Sequence, residues 1–308
     1  MHDPRVTVVL PTYNRADLLP RAINSVLDQT FEDFELIVVD DASEDETPEV
    51  VDSFDDERIV FIRHEENKYG KAWNTGIENA EGEYITFIDD DDEWYPQKIE
   101  KQVERMDDAD DEVVLVYCWR EVYEYGEMVN EAKPDLEGEI FEETIVKNPI
   151  GNTSTFMVRA DALDDVGGFD ESLPCGLDSD LLRRVTSKYL VDYVPEILVK
   201  QHWKHGNEQI TDEESDKLED TIESHKTTIK KFDSYLRRNP DKKVEIYSVI
   251  SLLYIKQSSW FRSMYYALLM VTTDPVSSTT RRELNSLART FLATTGIGKY
   301  IPNPKSLA

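Results

Sequence analysis

The chain has only two cysteines, Cys118 and Cys175, in 308 residues. That excludes a disulfide framework or a zinc-type cluster and points to a reducing, cytoplasmic setting. Long apolar runs are missing too. The longest uncharged stretch near the C-terminus, Ser263 to Thr273, falls well short of the roughly 20 residues that span a bilayer. The opening residues, Met1-His2-Asp3-Pro4-Arg5, lead straight into a strand pattern with no signal-peptide core. The expectation is a soluble protein, or one peripheral on the inner face of the cell membrane. Positive charge is scarce: 34 Lys and Arg stand against 64 Asp and Glu, a formal net charge of -30. Such a surface repels a phosphate backbone and argues against a nucleic-acid partner. It suits a protein kept soluble in high salt, where self-repulsion is screened, so a halophilic source is expected.

The deficit is uneven. Residues 226–308 hold 14 Lys and Arg against 5 Asp and Glu, a net of +9, which leaves -39 for residues 1–225. The reversal divides the chain. With 40% hydrophobic residues there is enough apolar material for a core, and the reading is a folded unit over 1–211 followed by a helical, basic segment over 212–308.

Residues 5–10 are a β-branched run ending at Pro11, a buried strand. Leu18, Leu19, Ala22, Ile23, Val26 and Leu27 then share one helical face. Residues 34–39, 58–62, 82–88 and 113–118 read as further strands. Helical stretches lie between them at 71–80 and 96–106, the second opening on proline. A strand at 152–158, a helix near Asp178 and a strand at 191–199 interrupted by Pro195 follow. This alternation predicts an α/β fold, a mostly parallel sheet with helices on both faces. From Asp212 the pattern is helical. Leu218, Ile222, His225, Ile229, Phe232 and Leu236 form a stripe that Pro240 breaks, and three short helices are expected at 244–256, 260–272 and 281–293.

In open α/β sheets ligands bind beyond the carboxyl ends of the strands, and carboxylates gather there: Asp40 and Asp41 after the second strand, Asp89 to Asp92 after the fourth. Aspartate is a poor strand former and neighbouring carboxylates repel. A divalent cation would offset that repulsion, and hard oxygen ligands suit Mn²⁺ or Mg²⁺, which can bridge a diphosphate. The alternative is a solvated acidic loop. The run's place between an apolar strand and Trp94-Tyr95-Pro96 favours a site.

Three segments carry a resemblance: Val8-Val9-Leu10-Pro11-Thr12-Tyr13-Asn14-Arg15, Val38-Val39-Asp40-Asp41-Ala42-Ser43, and the stretch from Gly82 through Asp89-Asp90-Asp91-Asp92-Glu93-Trp94. With Val166-Gly167-Gly168-Phe169-Asp170-Glu171 in the same order, the chain over roughly 4–210 resembles family 2 glycosyltransferases, inverting enzymes of the GT-A fold. The resemblance implies that Pro11, Thr12 and Tyr13 line a base pocket and that Asp41 accepts a hydrogen bond from the base. It places Asn74, Asp89 and Asp90 near the nucleotide sugar and Asp91 on the Mn²⁺ or Mg²⁺, with Asp92 the neighbouring candidate in that run. The general base would be Asp178 in Gly176-Leu177-Asp178-Ser179-Asp180, with Asp180 in reserve. The other reading of both acids is a favourable charge at a helix N-terminus. His205, in the loop Trp203 to Asn207, would approach the diphosphate or metal.

Two positions depart from the family pattern. Leu177 stands where an acid usually precedes the catalytic aspartate, and Trp73 where a basic residue is common; Lys68 or Lys71 could substitute, or Trp73 could pack on the sheet. Cys118 and Cys175 read as inert, having no basic neighbour in sequence. The function implied is transfer of a sugar from a nucleoside diphosphate sugar, UDP ahead of GDP, to an acceptor hydroxyl. That acceptor would be a glycan or lipid-linked oligosaccharide destined for a surface glycoconjugate. A noncatalytic nucleotide-sugar-binding protein or scaffold of the same fold is the alternative. In the basic segment, Trp260, Phe261, Tyr265 and Tyr266 accompany Arg262, Arg281, Arg282 and Arg289. They would either touch an anionic membrane surface or be buried in a helical subdomain.

Overall fold

Apolar runs too short for helices and flanked by turn residues become the strands of one sheet. The computed structural model describes residues 4–68, 70–203 and 215–295. The chain divides into two units, residues 1–209 and 210–308. The first unit holds β1 (Val6–Thr12), β2 (Phe34–Asp40), β3 (Ile59–Arg63), β4 (Tyr84–Phe87), β5 (Glu93–Trp94), β6 (Val113–Glu124), β7 (Glu127–Ala132), β8 (Phe156–Arg159) and β9 (Leu190–Trp203). They form one sheet in the order β3-β2-β1-β4-β8-β6-β9-β5, with β7 paired to β6. The sheet has the GT-A arrangement. Its first half, β3-β2-β1-β4, is wholly parallel, while β8 runs antiparallel to both β4 and β6.

That reversal sets the position of the site. Because β8 is antiparallel, its N-terminal end meets the C-terminal end of β4, with Thr86 opposite Met157. The ends of β6 and β9 reach the same rim, where Tyr123 pairs with His202. The segment read as a strand from 152 begins instead with a 3₁₀ turn, Thr153–Thr155, in which the Thr155 hydroxyl and N–H both bond back to the Asn152 carbonyl. Pro195 does not interrupt β9. The β6 register skips from Val194 to Ile197, a bulge that leaves the proline exposed.

Helices α1 (Leu19–Leu27), α2 (Thr47–Asp52), α3 (Lys71–Glu78), α4 (Lys98–Asp108), α5 (Phe141–Thr144), α6 (Ala160–Val166) and α7 (Leu177–Thr186) cover the sheet. Two apolar layers result, one on each face. One contains Val8, Leu10, Ile23, Leu36 and Met106, the other Val9, Phe87, Leu115, Leu163 and Leu181. Helix α4 starts two residues after Pro96, with Gln97 at its cap, so the proline bends the entering chain and is not itself helical.

The second unit contains α8 (Ser215–Lys231), α9 (Asp233–Arg238), α10 (Pro240–Lys256), α11 (Trp260–Thr273) and α12 (Ser278–Thr295). Pro240 opens α10, a position where its missing N–H is not needed. Val244, Tyr247, Ile255, Met270 and Leu287 form the core, with Trp260 and Tyr266 packed against it.

Helix α3 lies close on β1. A Cβ at Gly76 would stand 2.2 Å from Val9 Cγ1, and Val9 is fully buried. Gly76→Ala should therefore lower stability by about 1–3 kcal/mol, read as a lower urea midpoint at unchanged m-value. An unchanged midpoint would show that α3 can lift at no cost.

Candidate active site

Where β1 and β2 end, the chain turns sharply. Asn14 and Ala42 have φ of +53° and +66°, conformations that non-glycine residues rarely adopt. They persist because the two turns are tied together. The Asn14 amide donates to Ser43 Oγ (2.8 Å), Glu44 N–H to Asn14 Oδ1 (2.8 Å), and Asp41 N–H to the Thr12 carbonyl (2.9 Å). The two acids after β2 then separate in role. Asp40 is fully buried, accepts from Ser43 N–H (3.0 Å) and pairs with Arg63 Nε (3.1 Å). Asp41 lies beside His64 Nδ1 (2.7 Å) and accepts from Lys68 N–H. His64 is itself oriented by Thr75 Oγ1 at 2.9 Å. A carboxylate has about four acceptor positions, so Asp41 Oδ2 keeps capacity for a further donor. Tyr13, 43% exposed, stands at the same rim.

The acidic run is held from one side by the turn that precedes β8. Asn152 Nδ2 donates to Asp89 Oδ2 and to Asp92 Oδ2, both at 2.8 Å. Ser154 Oγ donates to Asp92 Oδ2 (2.6 Å) and accepts from the Asp89 amide (3.0 Å). His202 N–H completes Asp92 through Oδ1 at 3.0 Å. Asp92 is thus an almost wholly buried anchor. Asp90 faces Arg15, whose Nε is 3.9 Å from Oδ1. Asp91 offers its carbonyl to the Arg21 guanidinium while its side chain remains half-buried. Burial first, and then the charge of neighbouring aspartates, pushes Asp89 well above the usual carboxylate range and lifts Asp90 and Asp92 to about 7.

The same loop reaches the acid on α7. Asn148 Oδ1 accepts from Ile150 and Gly151 N–H, and its Nδ2 donates to Asp178 Oδ2 at 3.1 Å. Beneath it the Arg120 guanidinium donates to the Ile150 carbonyl (3.2 Å) and to Gln201 Oε1 (2.9 Å), between the charges of Asp92 and Asp178. Gly151, at φ +134°, admits this contact, since a Cβ there would stand 2.6 Å from Arg120 Nη1. Asp178 lies half-buried in the first turn of α7, after Gly176 in the left-handed region. Asp180 is buried and ion-paired with Arg184 at 2.7 Å, so its carboxylate stabilises the helix. Leu177, in place of the family's acid, is buried in the core.

The structure therefore brings Thr12, Tyr13, Asp41 and Asp90 together at one rim, and joins Asp89, Asp92 and Asp178 to it through residues 148–155. Pro11, paired with Val39 on β2, lines the same strand end. Asn74 has a further task. Its amide donates to the Phe169 carbonyl and to Glu171 Oε1 and accepts from Phe169 N–H, all within 2.9 Å, pinning the glycine turn after α6. Trp73 packs with Phe87 and Phe169, ring centroids 5.7 and 5.3 Å away. A cleft of about 500 Å³ opens beside them, lined by Lys68, Glu171, Ser172, Leu173 and Pro174. His205 lies outside the described residues.

His202, Arg120, Asn148 and Asn152 were not singled out in the sequence. The signal for the asparagines was slight, a polar stretch, Gly151-Asn152-Thr153-Ser154, directly before an apolar strand. His202 stacks on Tyr123 (5.2 Å), and burial together with Arg21 lowers its pKa to about 4, so its ring is neutral at pH 7. Among the described residues no three His, Cys, Asp or Glu side chains are close enough to hold a metal ion by themselves. The donor set fits a cation held by one or two carboxylates and completed by substrate oxygens and water.

The sequence matches glycosyl transferase family 2 over residues 7–167, more than half of the chain. The chain belongs to this family. It is 33% identical over 208 residues to an uncharacterized glycosyltransferase of Rickettsia prowazekii, a match covering 65% of this chain and 64% of that protein. The chain therefore spans just under two thirds of that relative. It is 45% identical over 94 residues to GalNAc(5)-diNAcBac-PP-undecaprenol beta-1,3-glucosyltransferase of Campylobacter jejuni, covering 29% of this chain and 30% of that one. The structure superposes on S. aureus TarS 1–349 in complex with UDP-GlcNAc with a TM-score of 0.61 at 16% identity, covering 89% and 93% of the two chains.

Raised carboxyl pKa values link pH to stability. Asp90 moves from 3.8 to about 7 on folding, so its contribution is fully present below the lower value and is lost as pH rises through the upper one. The metal-free protein should melt at progressively lower temperature across that window, and Asp90→Asn should flatten the slope. An equal slope in the variant would remove Asp90 as the cause.

Proposed function

We propose that the chain transfers a glycosyl group, with inversion, from a nucleoside diphosphate sugar to an acceptor hydroxyl. The observation that carries this reading is the single loop, residues 148–155, that contacts both the acidic run through Asn152 and Asp178 through Asn148. A donor-binding end and a base held from one loop keep a fixed separation, which is what a direct displacement requires.

In this scheme Tyr13 and Asp41 receive the base, Asp41 through the acceptor position left on Oδ2. Asp89 and Asp90 lie beside the ribose and diphosphate. Asp91, with Asp92 already engaged as an anchor, is the carboxylate that would hold Mn²⁺ or Mg²⁺ together with diphosphate oxygens. A bound cation would neutralise charge that develops on the departing diphosphate. Asp178 accepts the proton of the acceptor hydroxyl as its oxygen bonds to the anomeric carbon. The bond from that carbon to the diphosphate breaks, and its electron pair leaves with the nucleotide. UDP is the preferred donor in this reading, supported by the fold shared with a UDP-GlcNAc-bound protein. A lipid-linked glycan is the proposed acceptor, supported by the Campylobacter relative's name. We place the reaction on the cytoplasmic side, in keeping with a chain that has only two cysteines. The proposal of a high-salt source rests on the charge of -30 alone; the relatives described above lend it no support.

The test is donor turnover with Mn²⁺ or Mg²⁺ over a panel of UDP- and GDP-sugars. Asp178→Asn should lower kcat by about 10²–10⁴-fold with little change in donor KM, and Asp91→Asn should weaken the response to metal. Wild-type kinetics in both variants would remove the assignment.

A further inference from the structure

Helix α11 carries its apolar side chains outward. Phe261, Met264, Tyr265, Leu268 and Val271 recur at three- and four-residue spacing, and Phe261, Met264 and Leu268 are 91%, 69% and 61% exposed. A helix that only covers a core shows the opposite pattern, apolar inward and polar outward. The inward face of α11 is already satisfied by Ser263, Met270 and the ring of Tyr266 against α10. The outer stripe is thus a second apolar surface, continued past the helix end by Val276, 72% exposed. No charged residue lies on α11 other than Arg262. A contiguous patch of this kind marks a contact surface.

What it contacts follows from the charges around it. Helix α12 presents exposed Arg281, Arg282 and Arg289. A cleft of about 320 Å³ on it is lined by Arg282, Asn285, Ser286, Arg289 and Thr290. Two guanidinium groups with amide and hydroxyl donors are a set that accepts phosphate oxygens. Trp260, at the start of α11, meets Phe291 of α12 edge-on at 5.0 Å, which brings the α12 end bearing Arg289 to the α11 end bearing Phe261. Acids do pair here, Glu219 with Arg262 and Glu245 and Glu283 with Arg282, yet residues 226–308 keep a net charge of +9. A second copy offering the same face would set like charge against like. No helix among the described residues is long and apolar enough to cross a bilayer, so a helix of this composition fits the interfacial plane.

We infer that α11 and α12 form a docking face for an anionic phospholipid surface, with the stripe from Phe261 to Val271 entering the acyl boundary and the Arg282–Arg289 cleft receiving headgroup phosphate. This face is distinct from the transfer site, and its test needs no turnover.

The full chain is floated with vesicles of phosphatidylcholine alone or with about one third phosphatidylglycerol, at low and molar salt. Wild type should float with the anionic vesicles and not with the neutral ones at low salt. Phe261→Glu with Leu268→Glu should reduce the bound fraction on anionic vesicles tenfold or more at low salt. Arg282→Gln with Arg289→Gln should reduce it only at low salt, because screening removes that contribution, and millimolar inorganic phosphate should not displace the chain. A circular-dichroism melt matching wild type confirms that each variant is folded. Absence of wild-type flotation, equal flotation of the Phe261/Leu268 variant, or release by free phosphate would overturn the assignment. So would a wild-type dimer that the same variant turns into monomers, since a second copy would then cover the stripe.

Discussion

Four aspartates in succession at a strand end repel one another, and the fold meets that repulsion with donors drawn from one short loop. Asn152 bridges Asp89 and Asp92, Ser154 bonds the backbone of one and the side chain of the other, and the His202 amide closes the set. The setting of Asp89 and Asp92 depends on this loop being there, and the loop is there because β8 runs antiparallel to β4. A parallel β8 would leave its preceding loop at the opposite edge, and Asp89 and Asp92 would lose the Asn152 and Ser154 donors. The same loop extends through Asn148 to Asp178, so the compensation of one acidic cluster also places the next acid.

A polar layer below the loop keeps it in place. The fully buried Lys98 ammonium donates to Thr86 Oγ1 (3.0 Å) and Gln102 Oε1 (2.6 Å) and lies 3.8 Å from the Trp94 ring centroid. Burial lowers its pKa to about 7. Gln102 donates in turn to the carbonyls of Val116 and Thr155, Thr86 to that of Phe156, and the Trp94 indole to that of Ser154. Each carbonyl belongs to β6, to the turn that opens β8 or to the first residue of β8. A buried amine is tolerated because these partners satisfy it, and in return the 3₁₀ turn has almost no freedom to shift.

The strands of the parallel half were legible because β-branched runs such as residues 5–10 and 34–39 admit few other readings, and the family blocks marked their ends. Asp41, Asp90 and Asp178 could be named from those blocks. Asn148, Asn152 and Arg120 could not, since their importance lies in contacts across 28 to 81 positions of sequence, and neither asparagine nor a lone arginine in a strand carries a periodic or motif signal. The β6–β7 hairpin was also missed. Its strand β7, Glu-Met-Val-Asn-Glu-Ala, is almost wholly exposed and has no apolar alternation to read. In the second unit the stripe from Leu218 to Leu236 looked continuous, but the helix breaks at Phe232, which caps α9. The aromatics there divided as well: Trp260 and Tyr266 pack inward, Phe261 and Tyr265 outward, a distinction that depends on the phase of α11 against α10.

The charge of the rim bears on what can bind there. A diphosphate is an anion, and residues 1–225 carry a net charge of -39, so approach to Asp89 to Asp92 is opposed at long range and more strongly at contact. The cations facing the run are Arg15, Arg21 and Arg120, yet each is already turned to a carboxylate or a backbone carbonyl of the site. They reduce the local charge without cancelling it: burial is the main cause of the raised pKa values of Asp90 and Asp92, and the charge of Asp91 adds to it. Two responses remain to an acidic rim in a neutral solution, uptake of protons or uptake of a cation. Protons suffice to stabilise the fold but leave neutral carboxyls with weak hold on phosphate oxygens. A divalent cation held by the run would do both tasks at once, relieving the aspartates and giving the proposed diphosphate a positive partner. Under the proposed transfer, the acidity that opposes an anionic substrate would thus select for one delivered with its metal.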